Sequence, residues 1–154
     1  MKQDVIISSL TLKDIEQHRK SLESLLKESY DISFKNQKFP KEYFANKIKD
    51  LETFIQEGKA ISFIARINNK MVGFIWGYTR IFLEQKRIHI NHFVVNNKFQ
   101  GFGIGRELNN QIENYARENN IDSIDLMVTL DSPSVKFYEH FDYKGERIQM
   151  IKKV

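Results

Sequence analysis

The sequence predicts an α/β (α+β) fold in which helices cover a mixed β-sheet, and two observations lead to this prediction. Strand-like and amphipathic helical segments follow one another along the 154 residues in the order β-α-α-β-β-β-α-β-α-β, a pattern typical of a sheet with helices packed on its faces. No repeat, low-complexity stretch or linker composition interrupts the chain, whose length is close to that of one domain. We therefore expect a single domain over residues 1–154.

The first third of the chain predicts one strand and two helices. Val5–Ser8 is a short run of strand-forming residues. Thr11 and Asp14 have the spacing of a capping box, and apolar residues follow them at helical intervals. Pro40 suits the first turn of a second helix, and Gly58 suits its end.

The middle of the chain predicts a hairpin and a further strand. Ala60–Ile67 and Met71–Tyr78 are rich in β-branched and aromatic residues and flank two asparagines, which tolerate a positive φ angle. Thr79–Arg87 is charged and predicts a loose connection. Ile88–Val95 is the next expected strand, and its alternation would place His89 on the same face as Phe93.

The last third predicts two helices and two strands. A glycine-rich turn leads into a strongly amphipathic helix that ends near Glu118. Ser123–Val128 is a predicted strand, so that this helix becomes a right-handed crossover between parallel strands. Asp131-Ser132-Pro133 is a suitable start for a short helix, and Lys144–Lys152 predicts a final strand.

The composition narrows the possible functions. The net charge of +4 is mild and the lysines are scattered, so we expect no nucleic-acid partner. No apolar run approaches the roughly 20 residues that span a bilayer, and the first residues lack the apolar region of a signal peptide. We therefore expect a cytoplasmic protein without a membrane partner. The chain has no cysteine, which excludes disulfides and a thiol nucleophile, and no histidine pattern predicts a metal site.

The most informative motif is Gln100-Gly101-Phe102-Gly103-Ile104-Gly105-Arg106, between a predicted strand and a predicted helix. Glycines allow the backbone to turn sharply and approach a ligand, and the free N–H groups at a helix start suit a phosphate. The spacing matches neither the dinucleotide fingerprint nor the Walker A loop. The glycines alone leave two interpretations, a tight turn without a ligand and a site for a phosphorylated cofactor.

The residues around this motif resemble the Gcn5-related N-acetyltransferase (GNAT) superfamily. Gln100-x-x-Gly103-x-Gly105 is similar to the family's pyrophosphate loop, and the stretch from Asp131 to Tyr143, with Phe137-Tyr138-Glu139 at its centre, is similar to a second family motif. Asp131 and Asp142 stand where the family often has asparagine and glycine. The resemblance implies a mostly antiparallel sheet of six or seven strands, with a central splayed parallel pair and about four flanking helices.

The resemblance also implies acetyl-CoA as the acyl donor and no metal. Its pyrophosphate would be held by the loop, and its pantetheine arm would lie along the preceding strand. The implied cofactor-binding residues are Phe93, Val94, Val95, Gln100, Gly101, Phe102, Gly103, Ile104, Gly105 and Arg106.

A GNAT enzyme would transfer the acetyl group directly to a primary amine of a small molecule or peptide, without a covalent enzyme intermediate. Tyr138 matches the family tyrosine and is the candidate acid. His89 lies where some members have a catalytic glutamate and is the first candidate base; His92 and a water relay are the alternatives. A backbone N–H near Val94 or Val95 would stabilise the oxyanion.

Two questions stay open at this stage. A non-catalytic, CoA-binding regulatory module of the same fold is the alternative to an enzyme. Family members often pair, so that a homodimer is expected as a possible assembly, and nothing in the sequence identifies the amine acceptor.

Overall fold

The computed structural model describes residues 4–154, which form a sheet of five strands and four α-helices. The strands are β1 (Val5–Ser9), β2 (Ala60–Ile67), β3 (Lys70–Phe82), β4 (Gln85–Val95) and β5 (Ser123–Asp125). The helices are α1 (Leu12–Ser33), α2 (Tyr43–Gln56), α3 (Ile104–Glu118) and α4 (Pro133–Glu139). The spatial order is β1-β2-β3-β4-β5, with antiparallel pairing from β1 to β4 and parallel pairing of β4 with β5. The predicted mixed, mostly antiparallel α/β fold is confirmed.

Helices cover both faces of the sheet, and each face has its own hydrophobic core. The core under α1 and α2 includes fully buried Leu22, Ile48 and Trp76. The core under α3 and α4 includes fully buried Ile75, Ile88 and Leu108. Burying apolar surface on both faces is the main source of stability for such a sheet, and it explains the long hydrophobic run in β3. Among residues 4–154, no helix is long and apolar enough to cross a membrane.

The structure confirms the predicted capping box and the predicted asparagine turn, in both of which the residue type favours the local backbone conformation. The Thr11 hydroxyl accepts a hydrogen bond from the Asp14 N–H, and the Asp14 carboxylate accepts one from the Thr11 N–H, which completes the capping box at the start of α1. Asn68 and Asn69 have φ angles of 50° and 62°, as a two-residue hairpin turn requires.

The prediction of a loose connection at Thr79–Arg87 is wrong, because β3 and β4 continue through it as a hairpin. Leu83 and Glu84 form the turn with φ angles of 49° and 60°. Neither residue type favours positive φ, so that the sequence carries no turn signal there. Phe82, just before the turn, packs against the guanidinium of Arg147 at 4.2 Å from its ring centroid, and this stacking supports the hairpin.

The final strand expected at Lys144–Lys152 is absent from the structure, which leaves five strands in the described residues instead of six or seven. Strand-forming residues make a strand only where their backbone N–H and C=O groups meet a partner, and this segment has none. Because β5 is the last strand of the sheet within residues 4–154, the parallel pair lies at the edge of the sheet and not at its centre.

A β-bulge in β4 changes which side chains share a face. Trp76 pairs with His92 and Gly77 pairs with Ile90, so Asn91 is an extra residue without a partner on β3. The alternation reverses across the bulge: Ile90 and Phe93 both belong to the core under α3. The expectation that His89 shares a face with Phe93 is therefore wrong, and His89 lies on the face of Tyr78 and His92.

Candidate active site

A cleft opens where β4 and β5 diverge. The two strands pair only from Arg87 to His89 on β4, and beyond that point the chain after β5 leaves the sheet. The ends of α1 and α4 meet above the gap, where the hydroxyl oxygens of Ser33 and Ser134 are 3.3 Å apart. The cleft encloses about 150 Å3 and is lined only by uncharged side chains: Ser29, Tyr30, Ser33, Phe34, Asn91, His92, Phe93, Val94, Met127, Val128, Thr129, Ser134, Phe137 and Tyr138.

The edge of β4 presents free backbone groups to this cleft. The Asn96 N–H donates to the Val72 carbonyl at 2.8 Å, and a Cβ atom on Gly73 would lie 2.8 Å from the Val94 carbonyl oxygen, so the even-numbered residues direct their backbone groups towards β3. Backbone direction alternates along a strand. The N–H groups of Phe93 and Val95 therefore point to the cleft, and that of Val94 does not.

The glycine-rich loop continues from the end of β4 into α3. Gly101 and Gly103 have φ angles of 84° and 81°, a region that other residues enter only with strain. Gly103 is the N-cap of α3, and within residues 4–154 no side chain caps this helix. The N–H groups of its first turn, from Ile104 to Arg106, are thus left to bind a ligand or water.

Gly105 and Arg106 connect the loop to α4. A Cβ atom on Gly105 would lie 3.3 Å from the ring of Phe137, so the absence of a side chain lets α4 pack closely on α3. Arg106 is exposed, with its guanidinium 3.3 Å from Nε2 of His140. Gln100 donates to the Asn97 side chain at 2.8 Å, and Phe102 is exposed.

Tyr138 lies on α4 at the wall of the cleft. Its ring packs against Phe93 and Tyr143, with centroid distances of 6.0 Å and 5.8 Å. Burial raises the pKa of the Tyr138 hydroxyl to about 12, because the phenolate would lose its hydration. The hydroxyl therefore keeps its proton at neutral pH and can donate a hydrogen bond.

His89 pairs with Asp125 across the parallel strands. The distance from His89 Nδ1 to Asp125 Oδ1 is 2.6 Å, and because a carboxylate only accepts, Nδ1 carries the hydrogen. Nε2 of neutral His89 then keeps its lone pair. Burial raises the pKa of Asp125, but hydrogen bonds and charge from His89 and Arg80 outweigh it and hold this pKa below its usual value. His89 does not line the cleft itself.

His92 is buried between Trp76 and Tyr30. The Trp76 indole N–H donates to His92 Nδ1 at 2.9 Å; since the indole is only a donor, the hydrogen of neutral His92 is on Nε2, 3.4 Å from the Tyr30 hydroxyl. Burial, with a smaller effect of Lys47, lowers the pKa of His92 to about 3. With one nitrogen occupied and the other protonated, His92 is poorly suited to accept a proton.

Asp125 is a residue of this site that was missed in the sequence. Asp125 sits inside a predicted strand, and only the register of β5 against β4 brings it to His89. Tyr30 and Phe34, both near the end of α1, also line the cleft. Among residues 4–154, no three histidine, cysteine, aspartate or glutamate side chains are grouped as metal ligands.

Comparisons with known proteins agree with this geometry. Residues 16–150 match the family model described as acetyltransferase (GNAT) domain. No curated protein sequence matches the chain. The structure is similar to that of a predicted acetyltransferase from Clostridium acetobutylicum solved with acetyl-CoA, with a TM-score of 0.76, 15% identity and coverage of 97% of this chain and 96% of that chain.

Two further solved structures share the fold. A ribosomal-protein-alanine N-acetyltransferase from Brucella melitensis biovar Abortus 2308 has a TM-score of 0.68 and 21% identity, over 98% of this chain and 99% of that one. An aminoglycoside acetyltransferase from an uncultured soil metagenomic sample has a TM-score of 0.72 and 18% identity, over 97% and 96% of the two chains. At these identities the likeness shows the fold alone. The family model, in contrast, covers most of the sequence, and the chain belongs to the GNAT acetyltransferase family.

Proposed function

We propose that this protein is an acetyl-CoA-dependent N-acetyltransferase that transfers the acetyl group to a primary amine by direct attack on the thioester. The observation that carries the proposal is the cleft between β4 and the chain after β5. It has a free backbone edge on one side, Tyr138 on the other, and it adjoins a glycine loop with uncapped N–H groups. Acetyl-CoA would supply the activated acyl group.

The loop suits the pyrophosphate of the donor. The first-turn N–H groups of α3 and the positive end of its dipole attract a phosphate, and the left-handed glycines keep this backbone accessible. Arg106 is exposed beside the loop and adds positive charge. The pantetheine amides would pair with the free edge at Phe93 and Val95, in the way that an added strand pairs with a sheet.

The acceptor amine must lose a proton before it attacks, because the pKa of an alkylammonium is about 10.4. We assign His89 as the base, with Asp125 holding its Nδ1–H and leaving Nε2 to accept the proton. Since His89 does not line the cleft, a water molecule would carry the proton between the amine and His89. The N–H of Val95 or Phe93 would stabilise the negative charge that develops on the thioester oxygen.

The role of Tyr138 follows from its pKa of about 12. A thiol has a pKa near 8.5, well below that of Tyr138. Complete proton transfer from Tyr138 to the departing thiolate is therefore unfavourable in free energy. We therefore assign Tyr138 as a hydrogen-bond donor that stabilises the thiolate, which solvent then protonates.

Binding and turnover should be measured separately. We expect acetyl-CoA to raise the melting temperature, and we expect a panel of primary amines to include at least one that accelerates thiol release. Stabilisation by acetyl-CoA without thiol release for any amine, whether a small molecule or a peptide N-terminus, would indicate the regulatory module. Absence of stabilisation at millimolar acetyl-CoA would contradict the proposed cofactor.

The Tyr138→Phe variant tests whether the Tyr138 hydroxyl donates a hydrogen bond to the departing thiolate. We expect kcat to fall by roughly 100-fold, the lower end of the range for loss of a transition-state hydrogen bond, while acetyl-CoA affinity changes little. Tyr143→Phe is the matched control, because Tyr143 is a neighbouring buried tyrosine whose hydroxyl instead donates to Asn109 at 3.1 Å. An equal kcat for the two variants would show that Tyr138 only fills space.

A further inference from the structure

Three guanidinium groups surround the ring of Phe82 at the end of β3. The guanidinium carbons of Arg80, Arg87 and Arg147 lie 5.0, 5.3 and 4.2 Å from the centroid of this ring. We call these three residues the arginine cluster. The face of an aromatic ring attracts each cation, but three like charges around one ring repel one another. Negative charge beside the cluster therefore stabilises it.

The structure places two carboxylates beside the arginine cluster. Asp125 accepts hydrogen bonds from Arg80 Nη2 at 3.0 and 3.1 Å, and its Oδ2 lies 3.6 Å from Arg87 Nη1. The Glu146 Oε2 lies 3.2 Å from Arg87 Nη1 and 3.5 Å from Arg147 Nη2. In the part of the chain that the structure describes, no other carboxylate is within ion-pair distance of the cluster. Three positive charges thus meet two negative charges, and one positive charge is left in excess.

Two members of the arginine cluster keep N–H donors available. The hydrogen bonds that Arg80 makes within residues 4–154 start from Nη2, and its Nε has no hydrogen-bond partner. The side chain of Arg147 is 49% exposed, and Glu146 is its single ion-pair partner there. Arg87, in contrast, is buried and donates to Gln85 and Glu146. A guanidinium carries five N–H donors in a plane that matches a carboxylate or a phosphate.

The arginine cluster adjoins the proposed base. The Asp125 Oδ1 lies 2.6 Å from His89 Nδ1 and 3.0 Å from Arg80 Nη2, so that a single carboxylate separates His89 from the cluster. The rings of Tyr78 and His89 are 5.6 Å apart, and Arg80 follows Tyr78 by two residues on β3, which places it on the same face of the sheet. An acceptor whose amine reaches His89 through a water molecule can therefore place a second group of the same molecule at the cluster.

The charges around the cleft discriminate between classes of amine. All side chains that line the cleft are uncharged, so that a second ammonium group on the acceptor would leave water without gaining a carboxylate. The excess positive charge of the arginine cluster would also repel it. An anionic group on the acceptor would instead gain charge-assisted hydrogen bonds from Arg80 and Arg147.

We propose that the amine acceptor carries an anionic group, a carboxylate or a phosphate, which Arg80 and Arg147 bind beside the pair of His89 and Asp125. This inference rests on the proposed N-acetyltransferase function and specifies the class of its acceptor. Amines with several positive charges are correspondingly poor acceptors.

Matched pairs of amines separate the contribution of the anion from that of the amine. One series compares ω-amino acids of increasing chain length with their primary amides, and the other compares phosphoethanolamine with ethanolamine. Where the chain length spans both sites, we expect kcat/KM to be about 10-fold higher or more for the anionic member, as for one charge-assisted hydrogen bond. Because a nearby carboxylate raises the pKa of an amine, amine basicity alone would favour the amide. The series with the larger ratio identifies the anion.

The results with these pairs distinguish the class of acceptor from the function on which it rests. Acetylation in which no anionic member exceeds its neutral partner would overturn the anionic acceptor and leave the N-acetyltransferase function intact. If no amine of any class accelerates thiol release, the proposed function fails, and this inference fails with it.

The Arg147→Gln variant tests the arginine cluster directly. We expect KM for the anionic acceptor to rise by about 10-fold or more with little change in kcat, whereas KM for the neutral partner should stay constant. Arg147→Lys keeps the charge without the planar arrangement of donors and should have an intermediate KM. Arg117→Gln is the matched control, because it removes an arginine that is 67% exposed on α3. An unchanged KM in Arg147→Gln, or an equal rise for both members of the pair, would overturn the proposal.

Discussion

Two histidines three residues apart on β4 have opposite surroundings. His89 donates from Nδ1 to Asp125, which leaves Nε2 free, whereas His92 accepts at Nδ1 from Trp76 and keeps its hydrogen on Nε2. The residue type alone could not distinguish them. The difference depends on whether the neighbour is an acceptor or a donor, and the bulge at Asn91 together with the register of β5 decides which neighbour each histidine meets.

His92 should make the stability of the protein depend on pH. Its pKa is about 3 in the folded state and near 6.5 in the unfolded chain, so between these values the unfolded state binds more protons. The free energy of unfolding is therefore highest above pH 6.5 and falls with acidification by up to about 1.4 kcal/mol per pH unit. Urea unfolding of the wild type and of His92→Gln at pH 7, 6 and 5 measures this slope.

Glutamine keeps an acceptor for the Trp76 N–H but cannot be protonated, so that we expect His92→Gln to have the flatter pH dependence. His18→Gln, which removes a histidine from α1, is the control and should retain the slope of the wild type. Equal slopes for all three proteins would show that His92 is not the group responsible.

At the scale of the elements, the bulge in β4 depends on the absence of a side chain at Gly77. A Cβ atom there would lie 2.4 Å from the His89 carbonyl oxygen, so any side chain must push β4 away from β3. We expect Gly77→Ala to lower the free energy of unfolding by about 1–3 kcal/mol, the usual cost of overpacking. Gly145→Ala is the control, since its Cβ atom would meet open space; similar losses in urea unfolding would rule out the clash.

Two glycines with similar backbone conformations allow the effect of backbone strain on stability to be separated from the effect on cofactor binding. Gly103 and Gly58 both have left-handed φ angles, of 81° and 68°, and open space at the Cβ position. Alanine at either position should cost about 1–2 kcal/mol of stability. Only Gly103→Ala should also weaken the binding of acetyl-CoA, because Gly103 precedes the free N–H groups of α3. We expect the Kd measured by calorimetry to increase by at least 10-fold. Equal affinities in the two variants would place the cofactor elsewhere.

Regular elements were predictable where one residue or a short pattern determines the backbone. The capping box at Thr11 and the asparagine turn at Asn68 are such cases, and the helical stripe of α3 is another. The hairpin through Leu83 and the missing strand at the end of the chain were not predictable, because each depends on distant contacts: the first on the stacking at Phe82, the second on a pairing partner. The same distinction separates Tyr138, which a motif indicates, from Asp125, which only the sheet register brings to His89.

At the scale of the whole molecule, a cofactor that binds only the folded state stabilises it by mass action. Under the proposed function, the melting temperature of the wild type should rise with each tenfold increase in acetyl-CoA above its Kd. The melting temperature of Gly103→Ala should begin to rise only at a higher acetyl-CoA concentration, because its affinity is expected to be lower. Differential scanning calorimetry over a 100-fold range of acetyl-CoA measures both proteins, and a constant melting temperature of the wild type would contradict the proposed cofactor.

The free edge of β4 can keep its hydrogen-bonding groups while the amino-acid sequence around it changes during evolution. Its N–H groups at Phe93 and Val95 belong to the main chain, and a main-chain donor survives every substitution except proline. A surface built from these groups can therefore keep its function while the neighbouring side chains are substituted. The walls of the cleft, by contrast, consist of side chains such as Tyr30 and Phe34. New specificities can thus arise on the walls without disturbing the backbone edge.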